Sequence, residues 1–125
     1  MKWRVPVATE AAGGSLNVRN RMTLVGGLAE ETLDIPIPAG VWALEWYDAG
    51  LSGTIASSKV TIRVVRNGVM TVLNVGEIAA GHMFNALRGS ADLTLEGGDV
   101  ITAVIRYATA GQSLEFEIFL RRVLI

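Results

Sequence analysis

The chain contains no cysteine and a single histidine, His82. Without cysteine there can be no disulfide, thiolate nucleophile, zinc ribbon or iron–sulfur cluster. One histidine cannot build a multi-histidine metal site or a paired-histidine relay within one chain. Charge is also sparse: charged residues make up 18% of the chain, against about 25% in an average domain. Eleven basic and twelve acidic residues leave a net charge of −1, without the basic excess that nucleic-acid binding needs. No uncharged apolar run approaches the roughly 20 residues of a membrane span. The start, Met1-Lys2-Trp3-Arg4-Val5-Pro6, has basic residues but lacks the apolar stretch of a secretory signal. We therefore expect no nucleic-acid partner, no membrane, no cofactor and no metal, and assembly in the cytoplasm of the producing cell.

What the chain has is apolar bulk. Hydrophobic residues make up 50% of it and the mean hydropathy is +0.40, which excludes the composition of a disordered chain. Its 125 residues and 13.3 kDa suit one domain over 1–125. A fold of this mass has roughly 6,500 Å² of surface to cover. The charged residues are thin cover, so part of the apolar surface is expected to be buried outside the monomer core.

The dominant period is two. Leu33, Ile35 and Ile37 alternate with Asp34 and Pro36; Val60, Ile62 and Val64 with Lys59, Thr61 and Arg63. Leu114, Phe116, Ile118 and Leu120 alternate with Glu115, Glu117, Phe119 and Arg121. Successive strand side chains point to opposite faces, so these runs read as half-buried strands. Strands are expected near 2–8, 16–25, 31–37, 40–48, 58–66, 69–75, 90–96, 98–108 and 112–124. Between Gly76 and Gly89 the spacing of Ile78, Ala79, His82, Met83, Ala86 and Leu87 fits a short helix or, equally, a long loop. Turns fall at Asn67-Gly68, a type I′ hairpin signal, and at Gly97-Gly98-Asp99, where Gly98 allows a tight backbone and Asp99 can accept backbone N–H groups. Short strands at this spacing indicate an all-β antiparallel sandwich or barrel of about 8–10 strands.

Two-sided apolar strands are the informative exception. Val100–Tyr107 is largely apolar on both faces, Phe119 lies among charged residues, and Val41, Ala43 and Tyr47 oppose the face of Trp42, Leu44 and Trp46. An antiparallel sheet usually keeps one wet face, so a second apolar face points to a subunit contact. Tyr47, Ile101, Ile105, Tyr107 and Phe119 are the expected interface residues.

Four segments, in order, carry a family resemblance: Ile35-Pro36-Ile37-Pro38-Ala39-Gly40-Val41-Trp42; Val64-Val65-Arg66-Asn67-Gly68-Val69; Gly89 through Leu95-Glu96-Gly97-Gly98-Asp99-Val100; and Phe116-Glu117-Ile118-Phe119-Leu120. Over about residues 33 to 122 the chain resembles the globular heads of complement-type and tumour-necrosis-factor-like proteins. It also resembles the small jelly rolls of bacteriophage virions, such as capsid decoration proteins and fibre heads. The resemblance implies a two-sheet jelly roll of ten strands, a homotrimer formed through one sheet, and a binding and assembly role without catalytic residues. Residues 1–30 lie outside the best-matching part and read either as the sandwich's first strands or as a docking arm.

Readings toward chemistry are weak. His82, between Gly81 and Met83, has no catalytic context, and nearby Ser90 and Asp92 form no nucleophile motif. Glu115 and Glu117 share a strand face about 7 Å apart, as a glycosidase pair could, but such glutamates ordinarily face solvent. Glu30, Glu31 and Asp34 cluster without the six or more oxygens of a hard-cation site. Trp3, Arg19 and Arg21 are candidates for docking a partner. We expect a non-enzymatic virion protein, a trimer decorating or stabilising a capsid or fibre. The alternative is a receptor- or carbohydrate-binding head whose loops 49–57 and 76–90 carry the site.

Overall fold

The computed structural model describes residues 6–11, 14–52, 58–78, 84–89 and 93–123. These form strands β1 (Val7–Ala11), β2 (Ser15–Thr23), β3 (Glu30–Pro36), β4 (Val41–Ser52), β5 (Ser58–Arg66), β6 (Val69–Ile78), β7 (Phe84–Gly89), β8 (Leu93–Glu96), β9 (Val100–Arg106) and β10 (Ser113–Arg122). One sheet has the order β1-β2-β10-β4-β7, with β8 also paired to β4; the other has the order β3-β9-β5-β6. Every pairing is antiparallel. The result is an all-β jelly-roll sandwich.

The period-two pattern dictates the core. On β10, Leu114, Phe116, Ile118 and Leu120 are completely buried, and the intervening Glu115, Glu117, Phe119 and Arg121 stand on the other face. Ile35, Ile62, Ile101 and Ile105 close the core from the second sheet. Burying each such side chain contributes about 1.5–3 kcal/mol, and together they fix which face of each strand turns inward.

Two bulges change the phase of that pattern. Phe119 pairs with Trp46 but Leu120 pairs with Leu44, so Glu45 is an extra residue in β4. An extra residue moves all later side chains to the opposite face. Trp42 and Leu44 point inward, and after the bulge Tyr47, Ala49 and Leu51 do. In β6, Ile62 pairs with Asn74 but Arg63 pairs with Val72, which makes Leu73 the extra residue.

Several expectations are corrected here. Tyr47 is 3% exposed and Ile101 and Ile105 are fully buried within this chain's own core, so none of the three can face a second subunit. Tyr47 is turned inward by the Glu45 bulge. Ile101 and Ile105 belong to β9, which lies between β3 and β5. Flanked on both sides, β9 also has Thr102 and Val104 buried on its outward face, and Thr102 Oγ1 donates to Asp34 Oδ1 at 2.8 Å. Its two-sided apolar character therefore follows from a central position. The short helix or, equally, long loop expected between Gly76 and Gly89 is corrected at both ends: Gly76 to Ile78 continue β6, and Phe84–Gly89 is β7, while 79–83 lie outside the described residues.

Candidate functional site

The end of the sandwich that carries the β2–β3 and β9–β10 connections is built with care. Leu24 N donates to Gln112 O at 2.8 Å, and Gly111 N donates to Leu24 O at 3.0 Å. Gln112 is buried, and its Oε1 accepts from Thr109 N at 2.7 Å. Glu31, also buried, accepts Val25 N at 2.7 Å and Gly26 N at 3.0 Å. A buried carboxylate needs such donors. Gly26 has φ +78, and a Cβ there would overlap the backbone of Ala110, so only glycine lets the two loops close. This frame holds Val25, Leu28 and Tyr107 exposed. Tyr107 has φ +64, unfavourable for a bulky residue, and its carbonyl accepts Ser58 Oγ at 3.4 Å. By alternation Tyr107 would follow Ile105 inward; the left-handed backbone carries it out of the strand.

At the opposite end, Asn67 (φ 50) and Gly68 (φ 78) join β5 to β6. Asp99 is buried beside Gly98, which has φ 96. Asp99 Oδ2 accepts Glu96 N at 2.8 Å, and Arg66 grips both carboxylate oxygens at 2.9 and 2.6 Å. The Arg66 hydrogen bonds are the main cause holding the Asp99 carboxyl below its usual range, helped by Glu96 N–H and opposed by burial. The same contact raises Arg66. The arrangement ties the β8–β9 turn to the end of β5, a structural use that left Arg66 unnoticed from sequence because its partner lies 33 residues away.

The outer face of the β1-containing sheet is a ladder of paired charges. Arg21 Nε lies 3.5 Å from Glu115 Oε1 and donates to Ser113 Oγ at 3.2 Å. Arg19 stands opposite Glu117 in the register, and Glu117 accepts Asn17 Nδ2 at 3.1 Å. Arg121 pairs with Glu45. Between them Phe119 and Trp46 stack, with ring centroids 5.8 Å apart and planes 7° from parallel. Both are half-buried. Glu115 and Glu117 are thus engaged by neighbours on their own sheet.

The acidic trio diverges. Glu31 turns inward to its loop, Glu30 lies 3.5 Å from Arg106, and Asp34 accepts Thr102. Among the described residues no group of three or more His, Asp or Glu is placed to hold a metal. Trp3, His82, Ser90 and Asp92 lie outside the described residues, as do 53–57 and 79–83 of the two candidate loops.

No family model matches the chain, and no curated protein matches it. Solved structures do. A family 32 carbohydrate-binding module from C. perfringens NanJ, in complex with galactose, is 16% identical over 92% of each chain, with a TM-score of 0.51. Murine APRIL is 21% identical over 91% of this chain and 94% of its own, with a TM-score of 0.47. TmCBM61 with β-1,4-galactotriose is 14% identical over 98% and 91%, with a TM-score of 0.48. At these identities what is shared is the fold alone, a jelly-roll β-sandwich.

Proposed function

We propose that this chain is a non-enzymatic assembly module, a jelly roll that forms a homotrimer and decorates or stabilises a virion capsid or fibre. The observation that carries it is apolar surface left uncovered by the fold. Eight large hydrophobic side chains are exposed among the described residues. Isolated ones would be unremarked, but these gather: Val25, Leu28 and Tyr107 at one end, and four on β6. Clustered apolar surface marks an interaction site. Tyr107 and Phe119 are the subunit-contact candidates that the fold leaves accessible, and burial of such rings contributes about 25 cal/mol per Å². Light scattering at micromolar concentration tests the reading. A mass about three times 13.3 kDa is expected, with loss of assembly in Tyr107→Glu or Phe119→Glu. A 13.3 kDa species throughout overturns it. A capsid gene beside the coding sequence would support the virion placement, and a metabolic operon would count against it.

A second reading, a receptor- or carbohydrate-binding head, is favoured by Tyr107, a ring exposed just past the end of β9. The galactose-bound neighbour suggests a first ligand. Galactose titrated against the wild type and Tyr107→Ala tests this reading: saturable binding lost in the variant supports a head with Tyr107 in its site, and no heat from either rules out galactose as its ligand.

A further inference from the structure

We infer that the outer side of β6 is a docking surface for a second copy of this chain; the inference rests on the self-association proposed above and assigns it a place. Among the described residues β6 is the last strand of its sheet, so one side of its backbone faces away from β5. Edge strands recruit other chains unless charge, proline, shortness or a bulge prevents it. The other edges are protected in these ways. β3 carries Glu30, Asp34 and Pro36, β1 has five residues, β8 has four, and β7 has six. β6 has ten residues, and Val69 to Gly76 include neither a charge nor a proline. Its protective features are the charge of Glu77 near its end and the bulge at Leu73.

That bulge works toward exposure. Strict alternation from Met70 and Val72 would send Asn74 outward and Val75 inward. With Leu73 inserted, Asn74 pairs beside the buried Ile62 and Val75 beside Thr61 on the outer face. The fold thereby half-buries an asparagine and leaves a valine 50% exposed. Met70 at 59% and Val72 at 58% complete one apolar row, with Val69 at 66% beside the turn. Leu73 packs against the core, and the outward turn of Val75 that goes with it adds apolar surface where contact can form.

The chemistry of the row selects the occupant. An uncharged strip offers nothing to an acidic or basic ligand. A second copy docked on it meets no charge over Val69–Gly76, and the net charge of −1 scarcely repels a twin. The eight residues from Val69 to Gly76 span about 26 Å. A stable interface takes roughly 800 Å² per partner, so the contact extends beyond this row onto neighbouring residues.

The test is the double variant Val72→Lys/Val75→Lys, weighed beside the wild type across a dilution series. Both positions are half-exposed, so the variant should fold; circular dichroism and its melting temperature verify this. A third arm, hydrogen exchange at the β6 amides of the wild type at low and high concentration, reads the contact without substitution. A multimeric wild type, a variant needing about a hundredfold more protein to assemble, and β6 amides that slow with concentration are the expected results. A variant that assembles like the wild type, or β6 exchange indifferent to concentration in a multimer, overturns this inference and leaves self-association standing. A monomeric wild type overturns both.

Discussion

Arg66 Nε and Nη2 meet the two oxygens of Asp99 at 2.9 and 2.6 Å. The buried carboxylate also takes Glu96 N–H. The pair clamps the β8–β9 turn to the last residue of β5. Asp99→Ala leaves the Glu96 N–H without its acceptor and should destabilise the fold by about 1–3 kcal/mol in urea melts.

Acid should expose the same contact. The folded state holds the Asp99 carboxyl below its usual range, so near and below about pH 4 the unfolded chain binds the proton more readily. The stabilisation is fully present above the unfolded value of about 3.9 and is lost as pH falls through the folded one. Asp99→Asn should flatten the fall of stability between about pH 4 and pH 2. Melts in that range, compared with wild type, check this; an unchanged slope would exclude Asp99 as a source of acid sensitivity.

Glu31 should act on its loop. Glu31→Ala removes the acceptor for Val25 N and Gly26 N. A cost of about 1–3 kcal/mol is expected, together with faster hydrogen exchange at those two amides. Glu31→Gln retains one acceptor oxygen and should recover part of the loss.

Adjacent glycines should respond differently to alanine. Gly27 has φ +69 with open space around it, whereas a Cβ at Gly26 would overlap Ala110. Gly27→Ala should cost about 1–2 kcal/mol for the left-handed backbone alone. Gly26→Ala should cost distinctly more, because two paired loops must separate. Equal melting temperatures for the two variants would refute the close approach.

The two tyrosines should separate stability from assembly. Tyr47→Ala opens a cavity in the core and should lose about 3–5 kcal/mol. Tyr107→Gly relaxes a φ of +64 and should be neutral or stabilising by about 1 kcal/mol, while weakening self-association. Denaturation and light scattering on both proteins read the two effects.

Much of the architecture was legible. Leu114, Phe116, Ile118 and Leu120 announce their buried face by simple alternation, and Asn67-Gly68 marks the β5–β6 turn through residues that tolerate positive φ. β7 was not legible, because Phe84–Gly89 is short and its spacing suits a helix as well as a strand. For the candidate interface, alternation alone places an apolar residue of the second face on the surface. Nothing local distinguishes the central β9, where flanking strands cover Thr102 and Val104, from the edge β6, where none of the described strands covers Val72. Long-range partners such as Arg66 and Asp99 leave no periodic trace either.

By itself the sequence determined the class of structure: period-two apolar runs cut by glycine turns can bury their hydrophobic faces only as stacked antiparallel sheets. It also determined that charge would be too scarce to cover everything apolar. Tertiary structure alone decided where the uncovered surface lies. One extra residue at Glu45 turned Tyr47 into the core, and one at Leu73 turned Val75 out of it. A strand's period is two, so a single-residue shift in pairing exchanges its faces, and pairing is settled by the neighbouring strand.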